Sequence, residues 1–413
     1  MLEASESFGI NAPQQTESLK SVSSSSSGLP YHYLSKYIYF QNIDHHDHWH
    51  DVAPMLGKML VDGRYSVHQQ YQYLSFFAHH IIPMLGPAPE LSQNFHKSGC
   101  TTRIAFEPTS YLATTKDDRL NRMMLNEALS RLKIIGVDLN LQLYHELVNE
   151  LTLTDEDESA ICERNDLANN PITTQTVLAL DFNKTGIAVK LYLYPTLKAT
   201  ITGRSVSILA FDAIRKIDKD DQFTSPLAIL ESYFRNEKID ACFLSCDLVN
   251  PQHTRFKLYL FEYDVRFSRI ADHWTLAGRL SDKDTLTGLE MLYELWEGFG
   301  IPDGKRKPTE RPTRPGDPPT LLPLIFNYEM KPGHSIPKPK FYFPLTGIVD
   351  MKIARTLTAF FERHNMPDQA NGYIENLMSY YPGKDLNIET DYQAWLSFSY
   401  SKSTGPYMTV YYH

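Results

Sequence analysis

The sequence predicts an α+β fold, an antiparallel sheet with helices packed on its outer side. Three observations predict it. Strand-like segments with period-two alternation come in pairs, at 175–182 with 186–194, 242–248 with 254–262, 324–330 with 338–345, and 395–400 with 406–412. Helical stretches punctuate these pairs instead of alternating with single strands. No glycine-rich loop follows a strand to cradle a nucleotide, which excludes a dinucleotide-binding fold.

In chain order, residues 1–28 are polar and end in the run Ser23 to Ser27 and Gly28, the composition of a disordered tail. From Leu29 to Leu85 the pattern is helical, as in Trp49 to Leu60, where apolar residues recur three and four apart. A strand follows at 101–107 and a second helical stretch at Arg119–Leu151. Asp155-Glu156-Asp157-Glu158 suits a helix start, because carboxylates favour the positive end of the helix dipole. Segment 198–204 reads as a further strand. Helices are expected at Thr285–Gly298 and at Asp350–His364, where Ile353, Leu357, Phe360 and Phe361 form one stripe. Six prolines among charges mark 302–320 as a surface loop. Residues 29–413 are thus expected to form one domain.

Composition narrows the function. Of 413 residues, 42 % are hydrophobic and 22 % charged, ordinary for a globular chain with ample core. The net charge of −9 and pI near 5.9 speak against nucleic acid or a membrane surface as partner. Any anion site must then be a local basic cluster. Twenty-five tyrosines are a surplus, and tyrosine suits wet cavities as well as core. The cysteines Cys100, Cys162, Cys242 and Cys246 make no disulfide framework and lack zinc-ligand spacing, so buried thiols are expected, with Cys242 and Cys246 on one strand face. The N-terminus shows no secretory signal and no run reaches the ~18 apolar residues of a membrane span, so a cytoplasmic protein is expected. His45, His46, Asp47, His48 and His50 look like a metal cluster, but they begin an amphipathic helix and no glutamate sits between His46 and His50, so surface and capping roles are expected.

The most informative feature is a small strand motif that recurs. It reads Lys190-x-Tyr192-x-Tyr194, Arg255-x-Lys257-x-Tyr259 and Lys340-x-Tyr342; Tyr407 and Tyr411 close the chain, and Arg103 opens an earlier strand. Residues two apart share a strand face, so each segment presents cations and phenols on one side and Leu191, Leu193, Phe256 or Leu258 on the other. With apolar faces against helices, the basic faces turn inward. A barrel of about ten strands is wide enough to hold a small ligand. Five cations in one lumen, Arg103, Lys190, Arg255, Lys257 and Lys340, demand a counter-anion, and a diphosphate is a natural one. The tyrosine faces would attract and shelter an allyl cation left when the carbon–oxygen bond of an allylic diphosphate breaks. No paired-acid magnesium motif is present; Asp117-Asp118 and Asp220-Asp221 read as solvated turns.

Over roughly residues 30–413 the chain resembles the fungal indole prenyltransferases of the dimethylallyltryptophan synthase superfamily, and most closely its cyclic-dipeptide prenyltransferases. The resemblance rests on His48 to Leu56, Glu90 to Phe95, Thr102 to Pro108, Thr254 to Tyr259, His273 to Arg279, and Pro339 to Tyr342. It implies a closed barrel of ten antiparallel strands ringed by helices and built from ααββ repeats. The implied reaction is metal-independent, needs no cofactor, and moves a dimethylallyl group from its diphosphate to an indole carbon of a tryptophan-containing cyclic dipeptide or related alkaloid intermediate. By the matching motifs, Arg103, Lys190, Arg255, Lys257 and Lys340 would hold the diphosphate. Tyr192, Tyr259, Tyr342 and Tyr411 would shield the cation. Tyr194, Val177 and Tyr407 would line the aromatic-substrate pocket, and Glu90 would accept the indole N–H. The implied partners are these two small molecules, with the protein a monomer or homodimer.

Three positions depart from the family pattern. Gly86-Pro87-Ala88-Pro89 runs straight into Glu90, where relatives carry a longer segment that includes part of the first barrel strand. Val177 replaces a catalytic lysine of tryptophan C4-prenylating members. Ser401, beside Lys402, replaces a C-terminal arginine. Two other readings stay open at this point: a phenolic acceptor, and a non-catalytic isoprenoid-diphosphate-binding protein.

Overall fold

The computed structural model describes residues 29–85, 90–96, 99–113, 115, 117–163, 174–305 and 323–412. The expected tail 1–28, the run 86–89 and most of the proline-rich loop 302–320 lie outside the described residues. Among the described residues twelve strands follow one another: β1 (Glu90–His96), β2 (Gly99–Phe106), β3 (Thr176–Asn183), β4 (Gly186–Leu193), β5 (Phe243–Asp247), β6 (Phe256–Glu262), β7 (Asp264–Val265), β8 (Gly304–Lys305), β9 (Leu324–Met330), β10 (Lys338–Pro344), β11 (Gln393–Ser401) and β12 (Gly405–Tyr412). β7 and β8 pair only with each other. From β2 through β3, β4, β5, β6, β9, β10 and β11 to β12, nine strands form a curled antiparallel sheet. The backbone of β1 pairs with both edges of that sheet, so the strand order is cyclic.

The element order repeats. At least two helices precede each of five strand pairs, among them Ile43–Asp62 and Val67–Phe76 before β1–β2, Met123–Ile134 and Leu141–Leu151 before β3–β4, Val206–Ile217 and Thr224–Glu237 before β5–β6, Phe267–Thr275 and Lys283–Phe299 before β9–β10, and Asp350–Arg363 and Tyr373–Tyr380 before β11–β12. Local chemistry starts these helices. Ser66 and Gln69 form a capping box, and Asn42, Asn140 and Asp282 each accept a backbone N–H of the first turn that follows. The four acids of 155–158 do open a helix, Asp155–Glu163.

Strand alternation decides where the core sits. On β3, β4, β5, β6, β9 and β10, residues such as Leu178, Leu191, Leu244, Leu258, Phe326 and Phe341 belong to the large core shared with the helices. Their neighbours one position away face the lumen, where Phe243, Tyr259 and Tyr342 form a separate cluster. The curled sheet is therefore apolar outside and polar-aromatic inside.

Several expectations need correction. Residues 198–202 of the segment 198–204 belong to a helix, Thr196–Thr202, ended by Gly203 at φ +66°. Its Thr-Ile-Thr run suits a strand locally, but Leu197 and Ile201, one helical turn apart, pack on Leu120, Leu153 and Ile161, and that burial prevails. Asp118 is buried and accepts the N–H groups of Arg122 and Met123, so it anchors a helix start and is not a solvated turn. Cys246 is buried in the outer core, but Cys242 precedes β5 and packs against the lumen cluster, so the strand period does not carry both thiols to one face. Among the described residues no three His, Cys, Asp or Glu side chains are placed to hold a metal ion, and no helix is long and apolar enough to cross a membrane.

One helix contact yields a test. Trp274 is buried, donates from Nε1 to the Thr285 carbonyl at 2.8 Å, and lies flush against Gly288, where a Cβ would come within 2.6 Å of Trp274 Cζ2. Alanine normally gains about 1 kcal/mol over glycine inside a helix. Here Gly288→Ala is expected to lose about 1–3 kcal/mol through overpacking, read from urea unfolding; a gain in stability would refute the contact.

Candidate active site

The lumen has two levels, set by the strand period. Lys190, Lys257 and Lys340 occupy one level, and Tyr192, Tyr259 and Tyr342 follow two residues later on the same strands. Arg103 on β2 stands opposite Asp181 on β3, and Lys190 on β4 opposite Asp247 on β5. Lys257 on β6 stands opposite Glu329 on β9. The five sequence-predicted cations do converge, and they bring three carboxylates that sequence reasoning missed.

Charges alternate along this level. Arg103 donates through Nε and Nη2 to Asp181. Lys190 Nζ lies 3.0 Å from Asp181 Oδ2 and 2.8 Å from Asp247 Oδ1. Arg255 Nε donates to Asp247 Oδ2 at 2.5 Å, and its Nη1 to Glu329 Oε2 at 3.3 Å, with Lys257 Nζ 3.5 Å from the same oxygen. Lys340 is different: it makes no ion pair with a carboxylate among the described residues, and its ammonium sits 4.5 Å above the Tyr407 ring. Tyr407 is thereby placed at the charged level, away from Val177 and Tyr194.

Burial and pairing pull these groups in opposite directions. Burial alone would raise Asp181 and Asp247, but the adjacent cations overcome it and hold both carboxyls far below their ordinary range. Glu329, likewise opposed by burial, is held down to about 2 by Lys257 and Arg255. Burial pushes Lys257 down to about 8 against the pull of Glu329. Burial, reinforced by Lys257, pushes Lys340 well below its ordinary value.

The next level is aromatic. Tyr192, Tyr259, Tyr342 and Tyr411 form an arc with successive ring centroids 6.2, 6.1 and 6.1 Å apart. Asn327 Nδ2 donates to the Tyr342 hydroxyl at 2.9 Å, and that hydroxyl points to Tyr259 at 3.5 Å. The arc bounds a cavity of about 180 Å³ whose walls also include Arg103, Ala105, Val177 and Tyr194, together with Phe243, Ile325 and Trp395. Phe243 stacks on Tyr259 with centroids 4.1 Å apart and meets Tyr194 at 4.8 Å. Phe243, Ile325, Asn327 and Trp395 were not singled out from sequence. The signal was the lumen row itself, read two by two through 243-245-247 and 325-327-329. The backbone of Glu90 opens β1 opposite Ala105, a residue of the cavity wall; its side chain lies outside the described set. Ser401 is partly buried and Lys402 is exposed. A larger groove of about 430 Å³ lies beside the helices at 123–134 and 155–163, but its Arg122 is already paired with Asp155 and Glu158.

Residues 44–376 match the family model described as tryptophan dimethylallyltransferase. The chain belongs to that family. It is therefore an aromatic prenyltransferase. The "Roquefortine prenyltransferase roqD" of Penicillium rubens is 52 % identical over 403 residues, covering 93 % of this chain and 95 % of the relative. The crystal structure of NotF in complex with brevianamide F and DMSPP aligns with a TM-score of 0.83 at 32 % identity, covering 93 % of this chain and 98 % of that one. AnaPT from Neosartorya fischeri aligns with a TM-score of 0.82 at 30 % identity, with the same coverage of 93 % and 98 %.

The buried carboxylates of this prenyltransferase make its stability pH-dependent. Glu329 titrates near 4.5 when unfolded and at about 2 when folded, so its contribution is complete above pH 4.5 and vanishes as pH falls towards 2. Glu329→Gln is expected to flatten acid unfolding across that window by about 1–3 kcal/mol, followed by circular dichroism. An unchanged acid limb would count against the ion chain.

Proposed function

We propose that the enzyme transfers a dimethylallyl group from dimethylallyl diphosphate to an indole carbon of a tryptophan-containing cyclic dipeptide or related alkaloid intermediate. It does so without a metal, in the cytoplasm, inside a closed ten-stranded barrel. The observation that carries this reading is the tyrosine arc directly above the five-cation level. Arg103, Lys190, Arg255, Lys257 and Lys340 hold the diphosphate, with charge-assisted hydrogen bonds supplying the charge that magnesium supplies in other diphosphate enzymes. The allylic C–O bond breaks, its electron pair leaving with the diphosphate. The allyl cation rests against Tyr192, Tyr259, Tyr342 and Tyr411, whose ring faces attract it by ~0.5–2 kcal/mol each. Glu90 accepts the indole N–H, which raises electron density in the ring; an indole carbon attacks, and a proton is lost. Tyr194 and Val177 flank the acceptor, while Tyr407 steadies Lys340.

The relatives support the acceptor class. One is named for roquefortine, and NotF binds brevianamide F beside DMSPP. Val177 in place of the lysine expected for C4 attack on free tryptophan agrees with this class.

Incubation of purified protein with EDTA, dimethylallyl diphosphate and a panel of indoles and phenols tests the reading. Prenylated tryptophan-containing cyclic dipeptides are expected. Prenylated phenols alone would replace the acceptor, and binding without turnover would make the protein a diphosphate-binding module. Tyr342→Leu is expected to lower kcat by about 2- to 30-fold, with Tyr342→Phe retaining most of it. Glu90→Gln should reduce turnover while leaving diphosphate binding nearly intact; equal loss of both would remove Glu90 from its role.

A further inference from the structure

Three carboxylates already occupy many of the N–H groups of the five lumen cations. Asp181 takes Nε and Nη2 of Arg103 and shares Lys190 with Asp247; Asp247 takes Nε of Arg255; Glu329 takes Nη1 of Arg255 and pairs with Lys257. Each stands opposite one of its cation partners in strand register, Asp181 opposite Arg103, Asp247 opposite Lys190 and Glu329 opposite Lys257. Their side chains are only 12–14 % exposed, so water does not screen them. Glu329 also reaches outward, its Oε1 lying 3.4 Å from Lys331, a residue of a separate 460 Å³ groove at the β9–β10 turn.

We infer that Asp181, Asp247 and Glu329 are positioning residues that set the strength of diphosphate binding, keeping the leaving group releasable by competing with it for the same guanidinium and ammonium donors. The inference rests on the proposed donor site. The physical reason is differential binding. A site of five bare cations would hold inorganic diphosphate as firmly as it holds the departing group in the transition state, and turnover would stall on release. Interleaved carboxylates lower both affinities, yet they can return to their cation partners as the product leaves. The same acids also fix the fork of each arginine, because two donors on one carboxylate leave the guanidinium little freedom to rotate. A purely structural role, neutralising buried charge for folding, predicts something else: loss of an acid would loosen the cations and weaken anion binding.

Titration calorimetry with inorganic diphosphate separates these outcomes in Asp247→Asn and Glu329→Gln, with Asp247→Glu as the conservative control and circular dichroism to confirm folding. The expected result is diphosphate affinity at least about tenfold tighter in each neutralised variant, a lower kcat with a lower KM for the donor, and a burst of prenylated product in the first turnover. Asp247→Glu should return the affinity towards that of the unaltered enzyme. Unchanged or weaker diphosphate binding in a folded variant would overturn the inference while leaving the donor site standing. Absence of diphosphate binding in the unaltered enzyme would remove the donor site itself.

Discussion

The structure depends on one constraint, that like charges cannot be buried together without compensation. Arg103, Asp181, Lys190, Asp247, Arg255, Glu329 and Lys257 answer it by alternating sign along one level of the lumen. This alternation ties β2 to β3, β4 to β5, and β6 to β9 at the charged level of the inner side. The tyrosine arc then packs on a charged floor that is already rigid. Only Lys340 stands apart, resting on an aromatic face instead of an acid.

Outside the sheet the logic is the ordinary one of apolar burial. Five helix pairs cover the outer rows, and the core they share with the strands runs from Trp49 to Tyr412. This division of labour leaves the inner row to pack on itself and not on the helices. Residues there can be chosen for charge and ring geometry, because each strand is held by its other face.

How much of this was legible in the sequence follows from that division. Lys190-x-Tyr192, Lys257-x-Tyr259 and Lys340-x-Tyr342 announce themselves because cation and phenol repeat at the strand period, and the structure does bring them together with Arg103 and Tyr411. Asp181, Asp247 and Glu329 did not, since a single acid in a strand is indistinguishable from a solvated one until the partner strand is known. The helix Val206–Ile217 was legible and not singled out: its eight buried positions share one broad face, with Ile208, Asp212, Arg215 and Lys216 exposed on the other. Segment 198–204 was misread because its β-branched residues speak for a strand, and only the distant Leu120 and Ile161 reverse that preference. Phe243, Ile325 and Trp395 needed the register that sets them around one cavity.

The two levels of the lumen share three strands and are offset by two residues on each. Two residues of extended chain measure ~6.6–6.8 Å, a length that no side-chain rotamer alters. The protein therefore contains a molecular ruler: the backbone pleat sets how far the tyrosine arc stands from the cation level. A single-residue insertion in β4, β6 or β10 would not stretch the gap gradually; it would turn the upper row of that strand out of the chamber altogether.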